Sequence, residues 1–394
     1  MTLPPPLDWS KSGIGPGPEV PVDRRVTREN WRLYPFSRWA FQHTRELVPS
    51  RAIRRSPTPR ELPIESADLA SLRLDDGLGG TIAWDEFVES TYTDALIVLR
   101  SGAIVYETYR NGMTPQTLHH CFSVTKSFVG LIAEIMIASG ELDPTQPVTR
   151  YVSELAGSGF AAACVRDLMD MTDGVAFDED YANPDADVHR YSASYWTPAM
   201  AKGGARETLS RLTDSEASPG QVFSYRTPVA DALGWVIERA AGIRLADLFA
   251  EHLWRPAGCV DDGHMLVDTT GHEIAASGLN VTARDLARLA LLMLDENPSI
   301  PPAVRRSIFA GGDRALLAAS RHAERAGGSY RSQWWVSHNP YDGISALGVY
   351  GQRVYLEPKS GLALVRFGSH PMASNAFTDT VHRNAIEALR HALF

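Results

Sequence analysis

An apolar stretch with few breakers runs from Phe128 to Ile137, and its apolar positions 128, 131, 132, 135 and 136 share one helical face. That spacing predicts a helix stopped at Ser139-Gly140. Just upstream the period changes. Residues 94–100 and 103–110 are two strand-like runs joined by Ser101-Gly102, the signature of a β-hairpin. From residue 142 to about 259 the pattern is mainly helical with long connections. It includes a short amphipathic helix at 165–171, ended by Thr172-Asp173-Gly174, and a helix at 229–241 followed by Gly242. Residues 178–198 are acidic and aromatic with little periodicity, which reads as a loop over a site. Thr282-Ala283-Arg284-Asp285 opens a further helix through Asp295, with Thr282 as its N-cap. Strands return at 345–349, 352–356 and 362–367, and a helix at 379–393 closes the chain.

Strands, helices, strands and a last helix, in that order, predict an α/β (α+β) fold in which an antiparallel sheet is split around a helical insertion. The expected division is an arm and linker at 1–64, an α/β domain from 65–141 and 265–394, and a mainly helical domain at 142–264. The first 30 residues carry six prolines and three glycines and read as an extended arm. The segment after them holds Trp31, Tyr34, Phe36, Trp39 and Phe41, too aromatic for a free tail, so it is expected to pack on the main body. Residues 51–64 are basic and proline-bearing, a linker by composition.

Composition narrows the partners. The 394 residues are 44% hydrophobic and 22% charged, with a net charge of −9 and no basic run of five. That balance argues against nucleic acid and anionic membranes as partners. No run of 18 apolar residues marks a membrane span. Cys121, Cys164 and Cys259 are an odd number without C-x-x-C spacing, so neither a disulfide framework nor a zinc site is expected. The histidines lack metal-site spacing, and no phosphate-binding glycine motif is present; no metal and no cofactor are expected. With no apolar leader at the N-terminus, the simplest localisation is cytoplasmic.

The chemistry centres on Ser123-Val124-Thr125-Lys126. A serine at a helix N-terminus has a lysine one turn along on the same face. A serine hydroxyl becomes a nucleophile when a neighbour takes its proton, and a lysine whose pKa is lowered by burial can do so. Ser-x-x-Lys is the nucleophile motif of class A β-lactamases and penicillin-binding proteins. Alone, so short a pattern arises by chance, and an N-cap serine beside a solvated lysine accounts for it better.

Two more pieces accompany it: Tyr225, after Pro219-Gly220 and before a helix, and Ala346-Leu347-Gly348-Val349 on a late strand. Together these resemble the class C β-lactamase, DD-peptidase and family VIII carboxylesterase group of serine hydrolases. Within it the chain looks most like the 6-aminohexanoate-dimer (nylon-oligomer) hydrolases. Other stretches carrying the likeness are Arg38-Trp39-Ala40-Phe41, Tyr92-Thr93-Asp94-Ala95, Thr282-Ala283-Arg284-Asp285 and Gln333-Trp334-Trp335.

The resemblance implies a β-lactamase-like sheet and a set of roles. Ser123 would be the acylated nucleophile, and Lys126 would accept its proton or hold the local field. Tyr225 would shuttle the proton to the leaving group, serving as base and acid both if its own pKa falls. Which of Lys126 and Tyr225 is the primary base stays open. The amides of Ser123 and Val349 would form the oxyanion hole. Gly348 would let an edge-strand backbone approach the substrate, Tyr181 would sit on a loop over the site, Trp335 would line the acyl pocket, and Ser192 would contact the substrate. The likeness is imperfect. Thr227 stands where the family has Asn or Ser, and Ala346 stands where it has Lys, His or Trp. Ser192 lies where amide-active relatives place an acid, the nearest acids being Asp185 and Asp187. The pocket is therefore expected to lack a fixed charge and to favour uncharged short-chain esters over the 6-aminohexanoate dimer. The implied partner is a small ester or linear amide, with a homodimer left open. The alternatives are a D-amino-acid peptidase or β-lactamase, and a catalytically silent homologue that binds an acyl ligand.

Overall fold

The computed structural model describes residues 3–197, 202–294 and 297–394. Seven antiparallel strands form the main sheet. Across it lie Ala103–Tyr109, Thr93–Arg100, Leu362–Gly368, Gln352–Glu357, Ile344–Gly348, Trp334–Val336 and Ser329–Arg331. The expected hairpin forms on Ser101 (φ 49°) and Gly102 (φ 86°), the left-handed pair that suits a two-residue turn. Residues 95–99 of its first strand are an unbroken apolar run because both faces of the strand are covered. Ala95, Ile97 and Leu99 enter the larger core, whereas Leu96 and Val98 enter a second one with Trp84, Phe87, Leu364 and Leu389. The helices Trp84–Ser90 and Ala376–Leu393 cover that second face. Val124–Ser139 and Ala283–Leu294 pack on the first.

The expected helices form with small shifts of their ends. Gly140 (φ 82°) and Gly242 (φ 72°) end their helices in the left-handed conformation. Thr282 Oγ1 accepts the Asp285 N–H at 3.2 Å, as an N-cap does, and the helix runs to Leu294; Asp295 lies outside the described residues.

Three features depart from the sequence pattern. A second sheet of four short strands, Ser50–Ile53, Gly263–Leu266, Leu279–Thr282 and Leu118–His120, backs the site. Its first strand begins the stretch whose composition reads as a linker. The hairpin Ser329–Arg331 and Trp334–Val336 also escapes the pattern, because each strand is three residues long and the turn is Ser332-Gln333, both at positive φ. That turn crosses the Val124–Ser139 helix so closely that a Cβ on Gly130 would lie 2.0 Å from the Ser332 carbonyl oxygen, which requires glycine there. Finally, residues 178–198 are not wholly loop. Asp187–Ser194 is a helix, burying Val188, Tyr191 and Ser194 at spacings of three and six. Pro198 lies outside the described residues.

The aromatic N-terminal segment packs as expected, with Trp31, Trp39 and Phe41 buried. A buried ion pair pins it. Arg38 Nη1 donates to Asp94 Oδ1 at 2.9 Å, and Asp94 also accepts from Asn111, Ser369 and His119. Burial alone would raise the Asp94 pKa, but Arg38 and these partners hold it below its ordinary value.

Candidate active site

The chain enters the Val124–Ser139 helix through Phe122, a non-glycine residue at φ 47°. Such a conformation costs on the order of 1–3 kcal/mol and persists where the surroundings enforce it. Here they are aromatic: the Phe122 ring lies 4.1 Å from His120, 4.8 Å from Phe41 and 5.1 Å from Tyr350. The turn leaves Ser123 at the head of the helix, partly reachable, with Lys126 buried below it.

Lys126 Nζ lies 2.8 Å from Ser123 Oγ and 2.9 Å from the Ala276 carbonyl oxygen. Burial lowers the lysine pKa to about 8, against the opposing pull of Glu179 and Asp231. Both carboxylates are themselves held. Asp231 accepts the hydroxyls of Tyr191 at 2.9 Å and Tyr195 at 2.6 Å, together with the Ala276 N–H at 2.8 Å. Ala276 is thus held at both of its polar groups, its N–H by Asp231 and its carbonyl by Lys126. Glu179 accepts the Thr227 N–H at 2.8 Å, the Thr227 hydroxyl and the Tyr181 hydroxyl. Thr227 therefore serves Glu179.

The Tyr225 ring centroid is 5.3 Å from Lys126 Nζ, and the ring stacks on Trp335 at 5.6 Å. Its pKa does not fall as the sequence reading required. Burial raises it and Glu179 adds to the rise, with only a hydrogen-bonding contact to Ser123 acting the other way. Tyr225 is therefore a neutral phenol, able to give a proton but not to take one first. A lysine partly neutral near pH 8 is the one of the two that is present in its basic form.

The Gly348-Val349 segment reaches the same point. Its strand is not a sheet edge, lying between Gln352–Glu357 and Trp334–Val336. The ladder with Trp334–Val336 stops at Ser345, however, so 346–348 are open on that side. A Cβ on Gly348 would sit 2.8 Å from the Cys121 carbonyl oxygen. Glycine is needed for the strand to close on the turn before Ser123. Asn375 fixes the next turn, donating to the Gly348 carbonyl and accepting the Gly351 N–H, each at 2.8 Å. Ala346 is fully buried and offers no group to substrate.

Two cavities meet at Ser123, and Tyr181 and Val349 line both. One, of about 340 Å³, is walled by Trp31, Arg32, His189, Ser192 and Trp196. The other, of about 700 Å³, holds Tyr225, Trp335, Leu347, Gly348 and His322. All the residues expected at the site reach one cavity or the other. Asp185 and Asp187 reach neither; Asp187 accepts the Asp178 N–H and pairs with Arg190. The expectation of a pocket without fixed charge is overturned: Arg32, from the N-terminal segment, donates to Ser192 Oγ at 2.9 Å. Among the described residues no group of three or more His, Cys, Asp or Glu is placed to hold a metal ion. No helix among them is long and apolar enough to cross a membrane.

The sequence pattern of the beta-lactamase family matches residues 85–386. The chain belongs to the beta-lactamase family. It is a β-lactamase-fold hydrolase of the serine type. It is 33% identical over 355 residues to the 6-aminohexanoate-dimer hydrolase of Paenarthrobacter ureafaciens, covering 88% of each chain. A Bacillus anthracis structure provisionally named as a 6-aminohexanoate-dimer hydrolase superposes with a TM-score of 0.84 at 28% identity, covering 95% of this chain and 98% of the other. A family VIII carboxylesterase shares the fold at a TM-score of 0.57 and 15% identity, covering 76% and 92%.

Within this family member the residues that sequence reasoning missed are Arg32, Glu179 and Asp231. Asp231 could have been flagged as a lone acid on the apolar face of the Thr227–Ala241 helix. Arg32 carried no such signal, since nothing local says which part of the body its aromatic neighbours pack against.

Proposed function

We propose that this protein is a cofactor-free hydrolase of short-chain esters and linear amides that works through an acyl-enzyme on Ser123. The observation that carries the reading is a buried lysine 2.8 Å from a serine hydroxyl where two cavities meet. Neutral Lys126 takes the Ser123 proton as Oγ bonds to the substrate carbonyl carbon. The oxyanion is received by the N–H groups of Ser123 and Val349, which need no particular side chains. As the carbonyl re-forms, the bond to the leaving group breaks, and Tyr225 gives that group its proton. The ammonium of Lys126 then reprotonates the phenolate, which restores both residues. Water repeats the sequence on the acyl-enzyme, with the Ser123 oxygen now leaving. Esters demand least of this relay, because their leaving groups depart with less help from the acid.

Mass spectrometry after rapid mixing with p-nitrophenyl hexanoate tests the reading. The expected result is a hexanoyl adduct on the peptide carrying Ser123, absent in Ser123→Ala. Turnover with no adduct there, or with the adduct elsewhere, overturns it.

A further inference from the structure

Tyr225 lines only the larger cavity, whereas Lys126 and Thr227 line only the smaller. If Tyr225 protonates the leaving group, that group departs through the larger cavity and the acyl chain occupies the smaller. Arg32 lines that smaller cavity. It is partly buried and lies 5.7 Å over the Trp31 ring, and its one hydrogen-bond partner among the described residues is the neutral Ser192 hydroxyl. Among the described residues no carboxylate lies within ion-pair distance of it. Glu29, the one acid among the described residues that line this cavity, is exposed and hydrogen-bonded to Thr27 instead. The Arg32 charge is felt inside: it acts to lower the pKa of His120 and Tyr350, both of which line the cavity. Three further lining residues carry buried polar atoms without a partner among the described residues, namely His120 Nδ1, His189 Nε2 and Trp196 Nε1. A guanidinium presents a fork of donors that matches a carboxylate, and it loses little by leaving a single neutral hydroxyl for one.

We propose that the Arg32 cavity binds a carboxylate at the far end of the acyl chain, so that the favoured substrates are monoesters or monoamides of short aliphatic dicarboxylic acids. The inference rests on the acyl-enzyme reading above. It assigns a negative acyl end, in place of the ammonium that a 6-aminohexanoyl group would bring. Hydrolysis releases the dicarboxylate and the alcohol or amine.

The test compares kcat/KM for mono-p-nitrophenyl adipate with that for p-nitrophenyl hexanoate. These acyl chains have equal length and differ in the terminal carboxylate. The wild type should prefer the adipate. Arg32→Gln should lower the adipate-to-hexanoate ratio by about ten- to a hundredfold, the range of one charge-assisted hydrogen bond. Arg32→Lys should keep part of the preference. Ser192→Asp, which offers Arg32 an internal carboxylate, should lower the ratio without touching Arg32 and covers the case in which Arg32→Gln fails to fold. Free adipate should inhibit hexanoate hydrolysis competitively in the wild type and more weakly in both neutralised variants. A wild-type ratio at or below one, or a ratio that neither neutralising variant moves, overturns the carboxylate site while a hexanoyl adduct on Ser123 leaves the hydrolase reading standing. Absence of that adduct overturns both.

Discussion

The two cavities that meet at Ser123 treat charge in different ways. In the larger one, three arginines (Arg321, Arg325, Arg383) stand among four acids (Glu179, Asp180, Glu324, Asp379). Arg325 shares Asp379 with Arg353, at 2.6 and 2.5 Å, and its guanidinium lies 5.0 Å over the Trp335 ring. The Tyr225–Trp335 stack and His322 line this cavity, and Tyr330 and Phe223 pack against the Trp335 ring. In the smaller cavity Arg32 lies 5.7 Å over the Trp31 ring, and its one hydrogen bond among the described residues goes to a hydroxyl. Compensated charge and aromatic surface discriminate by shape and accept varied neutral groups. An uncompensated cation discriminates by charge, because leaving the wrong group against it forfeits solvation. The comparison teaches that leaving-group tolerance and acyl selectivity are divided between two parts of the chain and can be altered separately.

The sharpest way to break this division is to remove what both sides share. Ser123→Ala should cost more than about 10³-fold in kcat for substrates of either type, as loss of a nucleophile does. A variant retaining a tenth of wild-type activity would place the chemistry elsewhere.

Lys126→Met should lose about 10²–10⁴-fold in rate, the usual weight of a general base. It should do so without lowering Tm. The folded pKa of Lys126, about 8, lies below its ordinary 10.5. The unfolded chain therefore binds more protons between those values, and stability rises with pH across that window. Below pH 8 the full penalty of the buried lysine is present, about 3 kcal/mol at 1.36 kcal/mol per unit. A methionine removes that penalty, so a clear fall in Tm would show that the lysine is mainly structural.

Tyr225→Phe sharpens the comparison by acting on one cavity. The loss should be at least about tenfold larger for an ethyl ester or an anilide than for a p-nitrophenyl ester, whose leaving group needs little acid help. Equal losses across leaving groups would separate Tyr225 from proton delivery.

The smallest effect belongs to Glu179→Gln. The wild-type pH profile of kcat/KM should rise with a midpoint near 8 as Lys126 loses its proton. Glu179 pulls that midpoint up, so its neutralisation should move the limb to lower pH. A limb that stays fixed or moves up would remove Lys126 as the titrating base.

Much of this was legible in the sequence where the physics is local. The Phe128–Ile137 periodicity, the Ser101-Gly102 turn and the stop at Gly140 depend on neighbours a few residues away, and the structure carries each of them. The Ser123–Lys126 spacing is likewise local, since one helical turn places both side chains on a face. Short elements were not legible. A strand of three residues, such as Trp334–Val336, has too few positions to establish a period and forms because Ser329–Arg331 and Ile344–Gly348 lie beside it.

Tertiary structure alone decided the electrical character of the site. Whether Lys126 is an ordinary ammonium or a base near pH 8 depends on burial beneath Ala276 and on Glu179 and Asp231, which stand 53 and 105 positions downstream. The same holds for Tyr225, whose phenol is raised by surroundings no motif records. Arg32 is the clearest case. It stands 160 positions before Ser192 and reaches it because the Arg38–Asp94 pair and the buried Trp31 and Phe41 dock the N-terminal segment against the site. Helical spacing and turn chemistry are short-range and can be read along a chain. Desolvation and Coulomb interaction act through space, and they take their values only when distant segments are brought together.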